Sequence, residues 1–199
     1  MFTQKCLLIL ASGSPRRKEI LDTMGLEFSV DISDADESFA GTPEEMVLEL
    51  SRRKAQAVAP RHSGAMILAA DTLVFGDEVL GKPHSAEEAK RMLAGLSGRW
   101  HSVYTGVTMI DTRSGKTLSR ADVTRVHFVA LTAQDIDAYV ATGEPLDKAG
   151  AYGIQGYGSV FVASISGDYN NVVGLPLAKV WQYLYLLCNE SELLIDEQQ

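Results

Sequence analysis

The stretch that decides the fold lies near the start of the chain and reads Cys6-Leu7-Leu8-Ile9-Leu10-Ala11-Ser12-Gly13-Ser14-Pro15-Arg16-Arg17. The apolar run 6–10 has the length of a buried strand. Ser14 is a typical helix N-cap and Pro15 suits a first helical turn, and we expect that helix to end at Gly25. The stretch therefore predicts a strand–loop–helix unit, which is a building block of α/β folds.

The loop of this unit is a candidate phosphate site. A strand followed by small residues and a helix directs backbone N–H groups and the positive end of the helix dipole at one spot. Arg16 and Arg17 oppose that dipole, and a bound phosphate would offset the cost. Most such turns are only turns, so the loop alone leaves both interpretations open. It is not a P-loop, because the G-x-x-x-x-G-K-[ST] pattern is missing.

Beyond this unit, helix and strand patterns alternate. Strands are predicted at 26–32, 66–70, 100–110, 118–129 and 159–165, a hairpin at 73–80, and helices from Thr42, Ser85, Thr132 and Pro176. Thr42 to Glu45 and Ser85 to Glu88 have the capping-box pattern. The alternation indicates an α/β fold, and the central hairpins make its sheet mixed rather than purely parallel.

Composition excludes several classes of function. The net charge is −8, of which the last ten residues contribute −4, and no basic stripe suggests nucleic-acid binding. The run 6–10 is too short for an export signal, and nothing approaches the ~20 apolar residues of a membrane span. We expect a cytoplasmic protein with reduced Cys6 and Cys188, folded as one domain over residues 1–189 and followed by an acidic, flexible tail at 190–199.

Two acidic residues are candidates for chemistry. Asp71 follows the predicted strand 66–70, at the sheet edge where ligands of α/β proteins collect. It could bind a divalent metal or accept a proton from water, or it could simply cap a turn. Glu37 is the preferred member of the acidic stretch 31–37, because two carboxylates and substrate phosphates commonly hold Mg²⁺. The alternative is a solvated acidic loop.

Two lysines and one glycine-rich segment are further candidates. Lys54 lies within the second helix, and Lys82 precedes Pro83, which fixes a rigid exit from the hairpin. Taken alone, both positions are more typical of surface lysines. The segment 144–156 contains Gln155, whose amide could read the edge of a base, although a structural loop explains the composition as well.

These stretches closely resemble the Maf family of nucleoside triphosphate pyrophosphatases. The matching blocks are 10–17, 70–72, 81–83, 104–107, 144–156 and 173–177. They stand in family order and cover the chain up to the acidic tail. The resemblance implies an elongated mixed β-sheet with flanking helices and a cleft between two lobes, a fold also described as Maf/ITPase-like. It implies hydrolysis between the α- and β-phosphates to the nucleoside monophosphate and pyrophosphate.

The resemblance also implies roles for individual residues. Asp71 matches the proposed general base and, with Glu37, the metal site, for which Mg²⁺ is expected and Mn²⁺ is the alternative. Asp36 stays an alternative to Glu37, because the loop register varies. Residues matched to substrate binding are Ser12, Arg16, Arg17, Lys54, Thr72, Lys82 and Gln155. Among these, Arg16, Thr72 and Gln155 match the positions linked to base choice.

Within the family, the run from Asp147 to Gly156 is similar to the branch that acts on dTTP and UTP. The alternatives are the same chemistry on another modified nucleotide such as 7-methyl-GTP, or a nucleotide-binding regulator of cell division. A homodimer is implied by family analogy alone. The sequence leaves open whether the purpose is house-cleaning of the nucleotide pool or control of division.

Overall fold

The predicted strand–loop–helix unit is present and follows one short strand. The structure is a computed structural model that describes residues 2–4, 6–188 and 193–195. In chain order the strands are β1 Phe2–Gln4, β2 Leu7–Leu10, β3 Phe28–Val30, β4 Ala65–Phe75, β5 Val79–Leu80, β6 Trp100–Asp111, β7 Thr117–Phe128, β8 Val162–Ser166 and β9 Leu193–Ile195. The helices are α1 Pro15–Asp22, α2 Pro43–Val58, α3 Ala86–Leu96, α4 Ala133–Ala141, α5 Tyr169–Val173 and α6 Leu177–Leu187. Short 3₁₀ turns cover Ala59–Arg61, Glu144–Asp147, Ala149–Ala151 and Gly156–Phe161.

Seven strands form one mixed sheet. Its order is β3-β2-β4-β6-β7-β8, and β5 pairs with β4. β2 runs parallel to β3 and β4, whereas the β4–β5 and β7–β8 pairs are antiparallel. Helices flank the sheet, so the predicted α/β class with a mixed sheet is confirmed.

The two ends of the chain pair with each other, and the chain divides into two compact units. Leu193–Ile195 pair antiparallel with Phe2–Gln4, while residues 190–192 and 196–199 of the predicted tail lie outside the described residues. Unit 1 comprises Met1–Asp71, Thr105–Ala121 and Gly174–Gln199, and unit 2 comprises Thr72–Tyr104 and Asp122–Val173.

Unit 1 is built around β2 and α2. β2 exposes Leu7 and buries the three residues that follow it. α2 begins at Thr42 with the predicted capping box, in which Thr42 accepts from Glu45 N and the Glu45 carboxylate accepts from Thr42 N. The resulting core consists of Ile9, Ala11, Ala55, Val58, Ala65, Ile67, Ala69 and Ile110. Half of these residues are alanines, which lets the helix lie close to the sheet.

The position of α2 on β6 is determined by one glycine and one pair of hydroxyls. A Cβ atom at Gly106 would lie 2.1 Å from Val47 O, so only glycine allows the helix this close to the strand. Ser51 Oγ lies 2.9 Å from Thr108 Oγ1, which in turn lies 2.6 Å from Ser119 Oγ. Ser51 and Thr108 are fully buried, so these hydrogen bonds satisfy hydroxyls that water cannot reach.

Unit 2 has an aromatic core. It consists of Val74, Ala89, Leu93, Leu96, Val103, Val126, Phe128, Ile136, Tyr139, Val140, Ala151, Tyr152 and Phe161. His101 is buried among these side chains, and its Nε2 lies 2.8 Å from Tyr152 OH. Burial, with a small contribution from His127, lowers the pKa of His101 to about 4. The ring is therefore neutral near pH 7.

The structure corrects several sequence-based expectations. The strand predicted at 159–165 begins at Val162, because Gly156–Phe161 form a 3₁₀ turn. The strand predicted to end at Ala70 continues to Phe75, so Asp71 lies inside β4 rather than after it. Ser85 caps α3, but the Glu88 carboxylate accepts from His84 N instead of completing the capping box at Ser85. α1 ends at Asp22, three residues before the predicted Gly25. Among the residues that the structure describes, no helix combines the length and apolarity needed to cross a bilayer.

Candidate active site

The loop between β2 and α1 is organised by the hydroxyl of Ser12. The loop leaves the sheet where Ala11 N donates to Leu68 O at 2.7 Å. Ser12 Oγ, which is nearly buried, accepts from Ser14 N at 3.2 Å and from Arg17 Nη1 at 3.2 Å. Ser14 caps α1 as predicted, with Arg17 N donating to its side chain. The loop is therefore a tight turn that carries an arginine on its inner side.

Arg17 is held in place by the backbone as well as by the loop. Its Nε donates to Gly174 O at 2.8 Å, which ties α1 to the segment before α6. Burial lowers the pKa of the Arg17 guanidinium, whereas the charge of Asp71 and more weakly that of Glu37 act in the opposite direction. The charge of Arg16 adds to the lowering. Two arginines and two carboxylates therefore share one electrostatic environment in unit 1.

Asp71 owes its position to the unequal lengths of two parallel strands. β2 ends at Leu10, opposite Leu68, while β4 continues for seven more residues to Phe75. Asp71 consequently lies just beyond the carboxyl end of β2, beside the Ser12 loop. Asp71 was predicted to lie at the carboxyl end of its own strand. It lies instead at the carboxyl end of the neighbouring strand β2, because β4 continues past it.

Lys54 joins the two predicted carboxylates. Its Nζ lies 2.7 Å from Asp71 Oδ1 and 2.9 Å from Glu37 Oε1. The side chains of Lys54 and Asp71 are each only 13% exposed, whereas that of Glu37 is 66% exposed. The pair with Asp71 is therefore the less screened of the two. Lys54 follows Ser51 by one turn of α2, so the Gly106 contact and the Ser51 hydroxyl pair place this ammonium.

Asp36, the alternative to Glu37, faces a different group. Its Oδ1 accepts from Ser38 N at 2.9 Å and from Ser38 Oγ, and Arg53 Nη1 lies 3.8 Å from Asp36 Oδ2. Its side chain is 73% exposed. The hydrogen bonds from Ser38 lower the pKa of Asp36. Glu37, rather than Asp36, is therefore the acidic-loop residue brought to Lys54 and Asp71.

Three of the predicted site residues belong to unit 2. Thr72 follows Asp71 on β4 and is half-buried. Lys82 is exposed on the loop after β5, at the wall of a pocket of about 440 Å³ that His84 and Arg91 also line. Gln155 is exposed on a segment between two glycines. Each carries a group able to contact a nucleotide: a hydroxyl, an ammonium and an amide.

Sequence reasoning missed several residues that hold these groups. Arg53 donates to Glu49 Oε1 at 2.8 Å and to Ser38 O at 3.0 Å, so it fastens the acidic loop to α2. The i,i+4 spacing of Glu49 and Arg53 was the signal that could have revealed it. In unit 2, Tyr139 and Glu144 bind the backbone around Gln155. No local pattern marks them, because both act on residues more than ten positions away.

The residues present fit the divalent cation that the resemblance implies. Among the described residues, no group of three or more His, Cys, Asp or Glu side chains could form a metal site. Asp71 and Glu37, however, both place a carboxylate oxygen within 3 Å of one cationic atom, Lys54 Nζ. Mg²⁺ is commonly held by one or two carboxylates completed by substrate phosphates and water. This donor set of two carboxylates matches that pattern.

The fold and these residues define a protein of a known family. Residues 7–187 match the family described as Maf-like protein, and the chain belongs to this family, which confirms the resemblance. Relatives from Bacillus mycoides (strain KBAB4) and Bacillus cereus (strain AH820) are each named dTTP/UTP pyrophosphatase. Each is 49% identical over 176 residues, which are 87% of this chain and 91% of theirs.

Among solved structures, the Staphylococcus aureus Ham1 protein is similar over 61% of this chain and 71% of that chain. The two share 14% sequence identity, with a TM-score of 0.44.

Proposed function

We propose that this protein is an enzyme that hydrolyses dTTP and UTP to the nucleoside monophosphate and pyrophosphate. The observation that carries the proposal is the cluster in which Lys54 joins Asp71 and Glu37 beside the Ser12–Arg17 loop. Membership of the Maf family supports the reaction. The printed name of relatives that are 49% identical supports the pyrimidine substrates.

The triphosphate would bind through the basic residues of unit 1. Arg16 and Arg17 stand in the first turn of α1, where backbone N–H groups and the helix dipole also favour an anion. Arg17 Nη1 and Ser14 N both converge on Ser12 Oγ, so the loop is pre-organised for a ligand. Lys82 would add a further positive charge, and Arg16, Thr72 and Gln155 would contribute to the choice of base.

Asp71 would carry the chemistry as a general base. Its carboxylate accepts a proton from a water molecule while the water oxygen forms a bond to the α-phosphorus. The bond between the α-phosphorus and the bridging oxygen breaks in line with this attack, and pyrophosphate leaves. No covalent enzyme intermediate is needed. Proton transfer to a positioned carboxylate typically contributes ~10²–10⁴-fold to the rate.

Lys54 would have two consecutive tasks. Its hydrogen bond to Asp71 Oδ1 fixes the orientation of the carboxylate, because a buried ammonium of this kind restricts the rotamers of its partner. As negative charge builds up on the leaving pyrophosphate, the same ammonium is available to stabilise it. Lys54 would thus both orient the Asp71 carboxylate and stabilise the charge of the leaving pyrophosphate.

Pyrophosphatases of this family are generally metal-dependent. We infer that Asp71 and Glu37 would hold Mg²⁺, with Mn²⁺ as the alternative. When bound, such an ion would neutralise phosphate charge and polarise the P–O bonds. A cytoplasmic location, a homodimer, the absence of nucleic-acid binding and a flexible tail after a single domain at 1–189 remain predictions.

A panel of nucleoside triphosphates tests the proposal. Purified protein with Mg²⁺ is incubated with dTTP, UTP, CTP, ATP, dGTP and 7-methyl-GTP, and released pyrophosphate and monophosphate are measured. We expect turnover of dTTP and UTP above that of the others. Turnover of 7-methyl-GTP without dTTP or UTP would overturn the substrate assignment. If the products were a diphosphate and inorganic phosphate, the assigned bond cleavage would be wrong.

A further inference from the structure

The segment Gly153–Gly158 has buried glycines at both ends, and Gln155 lies in its exposed middle part. Gln155 and Tyr157 are exposed, and glycine occupies 153, 156 and 158. Three glycines in a short segment give the backbone many accessible conformations when it is unsupported, and restricting them costs entropy. A side chain that recognises a ligand from such a segment needs an external support.

Glu144 and Tyr139 provide hydrogen bonds on both sides of Gln155. The Glu144 carboxylate accepts from Tyr157 N at 3.0 Å, from Gly158 N at 3.2 Å and from Tyr139 OH at 2.9 Å. Tyr139 OH in turn accepts from Gly153 N at 3.1 Å. One carboxylate and one phenol therefore bind the backbone before and after residue 155. We call these two side chains, with their hydrogen bonds, the Glu144 clamp.

The glycines of the segment are what allow the backbone to close around the clamp. A Cβ atom at Gly156, whose φ is +72°, would lie 2.7 Å from Glu144 Oε2. A Cβ atom at Gly158 would lie 2.5 Å from Gly153 O and 2.7 Å from Tyr139 OH. These distances leave no room for any larger residue. The segment can therefore pack this closely against Glu144 and Tyr139 only with glycine at positions 156 and 158.

The clamp depends on the negative charge of Glu144. Burial raises the pKa of its carboxyl, but hydrogen bonds from Tyr157 N, Tyr139 OH and Gly158 N, together with the charge of Lys148, outweigh this effect and leave the pKa below its usual value. Hydrogen bonds to an ionised acceptor are about twice as strong as neutral ones. A glutamine at 144 could not reproduce the set, because its amide N–H₂ would face backbone donors.

We propose that Glu144, acting through Tyr139 and the backbone of 153–158, positions Gln155 and thereby sets the discrimination between pyrimidine and purine nucleotides. This inference rests on the proposed function, since it assigns Gln155 to contact with the base. Glu144 itself is a positioning residue, because its carboxylate is occupied by the phenol and by backbone N–H groups.

The test is the variant Glu144→Gln, assayed with dTTP and dGTP. A hydrogen bond to a charged group is commonly worth a factor of about ten or more in an equilibrium. We therefore expect KM for dTTP to rise about tenfold, kcat to stay within about threefold, and the dTTP-over-dGTP ratio of kcat/KM to fall about tenfold. A lowered melting temperature with unchanged discrimination would show a merely structural role and overturn the proposal.

The matched control is Asp135→Asn. Asp135 stands on the same helix as Tyr139, and its carboxylate likewise accepts a backbone N–H and a hydroxyl, both from Thr132. This variant weakens the Asp135 half of the capping box without touching 153–158, so we expect a lower melting temperature and wild-type discrimination. A loss of discrimination here as large as in Glu144→Gln would show that destabilisation alone causes it, which contradicts the proposal.

A double-mutant cycle tests whether the effect passes through Gln155. In a Gln155→Ala background, Glu144→Gln should cause no further loss of discrimination. Additive losses would overturn the proposed route. Should Glu144→Gln fail to fold, Tyr139→Phe removes only the phenol oxygen, and it should lower discrimination in the same direction by a smaller factor. Unchanged discrimination in Tyr139→Phe would again refute the clamp.

A final readout separates this inference from the proposed function. Hydrogen exchange of the Gly153, Tyr157 and Gly158 amides reports on the clamp without any substrate. Faster exchange in Glu144→Gln supports the clamp, and exchange at wild-type rates overturns it. If the wild-type protein released pyrophosphate from no nucleotide, the proposed function would fail while the exchange result still stood.

Discussion

The substitution Gly106→Ala tests how α2 places the ammonium of Lys54. The added Cβ would lie 2.1 Å from Val47 O, and such contacts do not occur below 3.0 Å. Because the clashing atom belongs to helix backbone, no side chain can rotate away. Strand and helix must part by about 0.9 Å to bring this contact from 2.1 to 3.0 Å. Lys54 lies two turns further along the same helix, so its Nζ shifts relative to Asp71.

Two magnitudes follow from this displacement. Overpacking a well-packed core typically costs about 1–3 kcal/mol. For a chain of this size that lowers Tm by about 2–12 °C. Misplacement of a catalytic group by ~1 Å can cost ~10²-fold in rate. We therefore expect kcat/KM for dTTP to fall about a hundredfold at temperatures where the variant is still folded.

The assay pairs circular dichroism with pyrophosphate release at 20 °C or below. Gly95→Ala is the matched control: it makes the same chemical change inside α3, where an added Cβ meets no heavy atom within 4 Å. It should raise stability by about 0.5–1 kcal/mol and leave turnover unchanged. Wild-type turnover in Gly106→Ala would refute the idea that this close approach places Lys54.

Three further predictions concern other parts of the molecule. Asp71→Asn should reduce kcat by about 10²–10⁴-fold with an unchanged circular dichroism spectrum, and a near-wild-type rate would refute the role of general base. Because the pKa of His101 is about 4 in the folded protein and 6.5 unfolded, its neutral ring stabilises the fold above pH 6.5. This contribution, up to about 3 kcal/mol, is lost as the pH falls towards 4, and denaturant titrations of His101→Gln should lack that slope. Cys6 and Cys188 bring their sulfur atoms to 3.1 Å, so a small-molecule disulfide should oxidise them to an intramolecular disulfide and raise Tm. Intact mass and thiol counting detect the bond, and Cys188→Ser should abolish the rise in Tm.

The elements of this fold were readable from local signals. The N-cap at Ser14 and the capping box at Thr42 depend on residues within three positions of one another, and both are present. The end of β4 was not readable in this way. Asp71 and Thr72 look like the end of an apolar run, but they join the strand predicted at 66–70 to the hairpin predicted at 73–80, whose arms pair at Val74–Leu80 and Phe75–Val79. Sheet pairing is a tertiary effect that overrides local propensity.

The sequence predicted which residues belong to the candidate site, but it did not predict which of them contact one another. The carboxylates at 37 and 71 and the ammonium of Lys54 were candidates, yet nothing in their spacing predicts that Lys54 bridges the other two. We expect that contact to depend on the close approach of α2 to β6 at Gly106, which no local pattern in the sequence reveals. The sequence likewise gave no sign that Cys6 and Cys188 lie close together, because 182 positions separate them.

The Glu144 clamp also bears on how the specificity of this fold could change. The clamp binds N–H groups of 153, 157 and 158, and no side chain of the segment takes part in these hydrogen bonds. Gln155 is exposed, so replacing it leaves the bonds that shape the segment intact. The backbone conformation of the segment should therefore stay the same when the side chain at position 155 changes. Under the proposed role of Gln155, a single substitution at position 155 is expected to alter base preference while the segment keeps its shape.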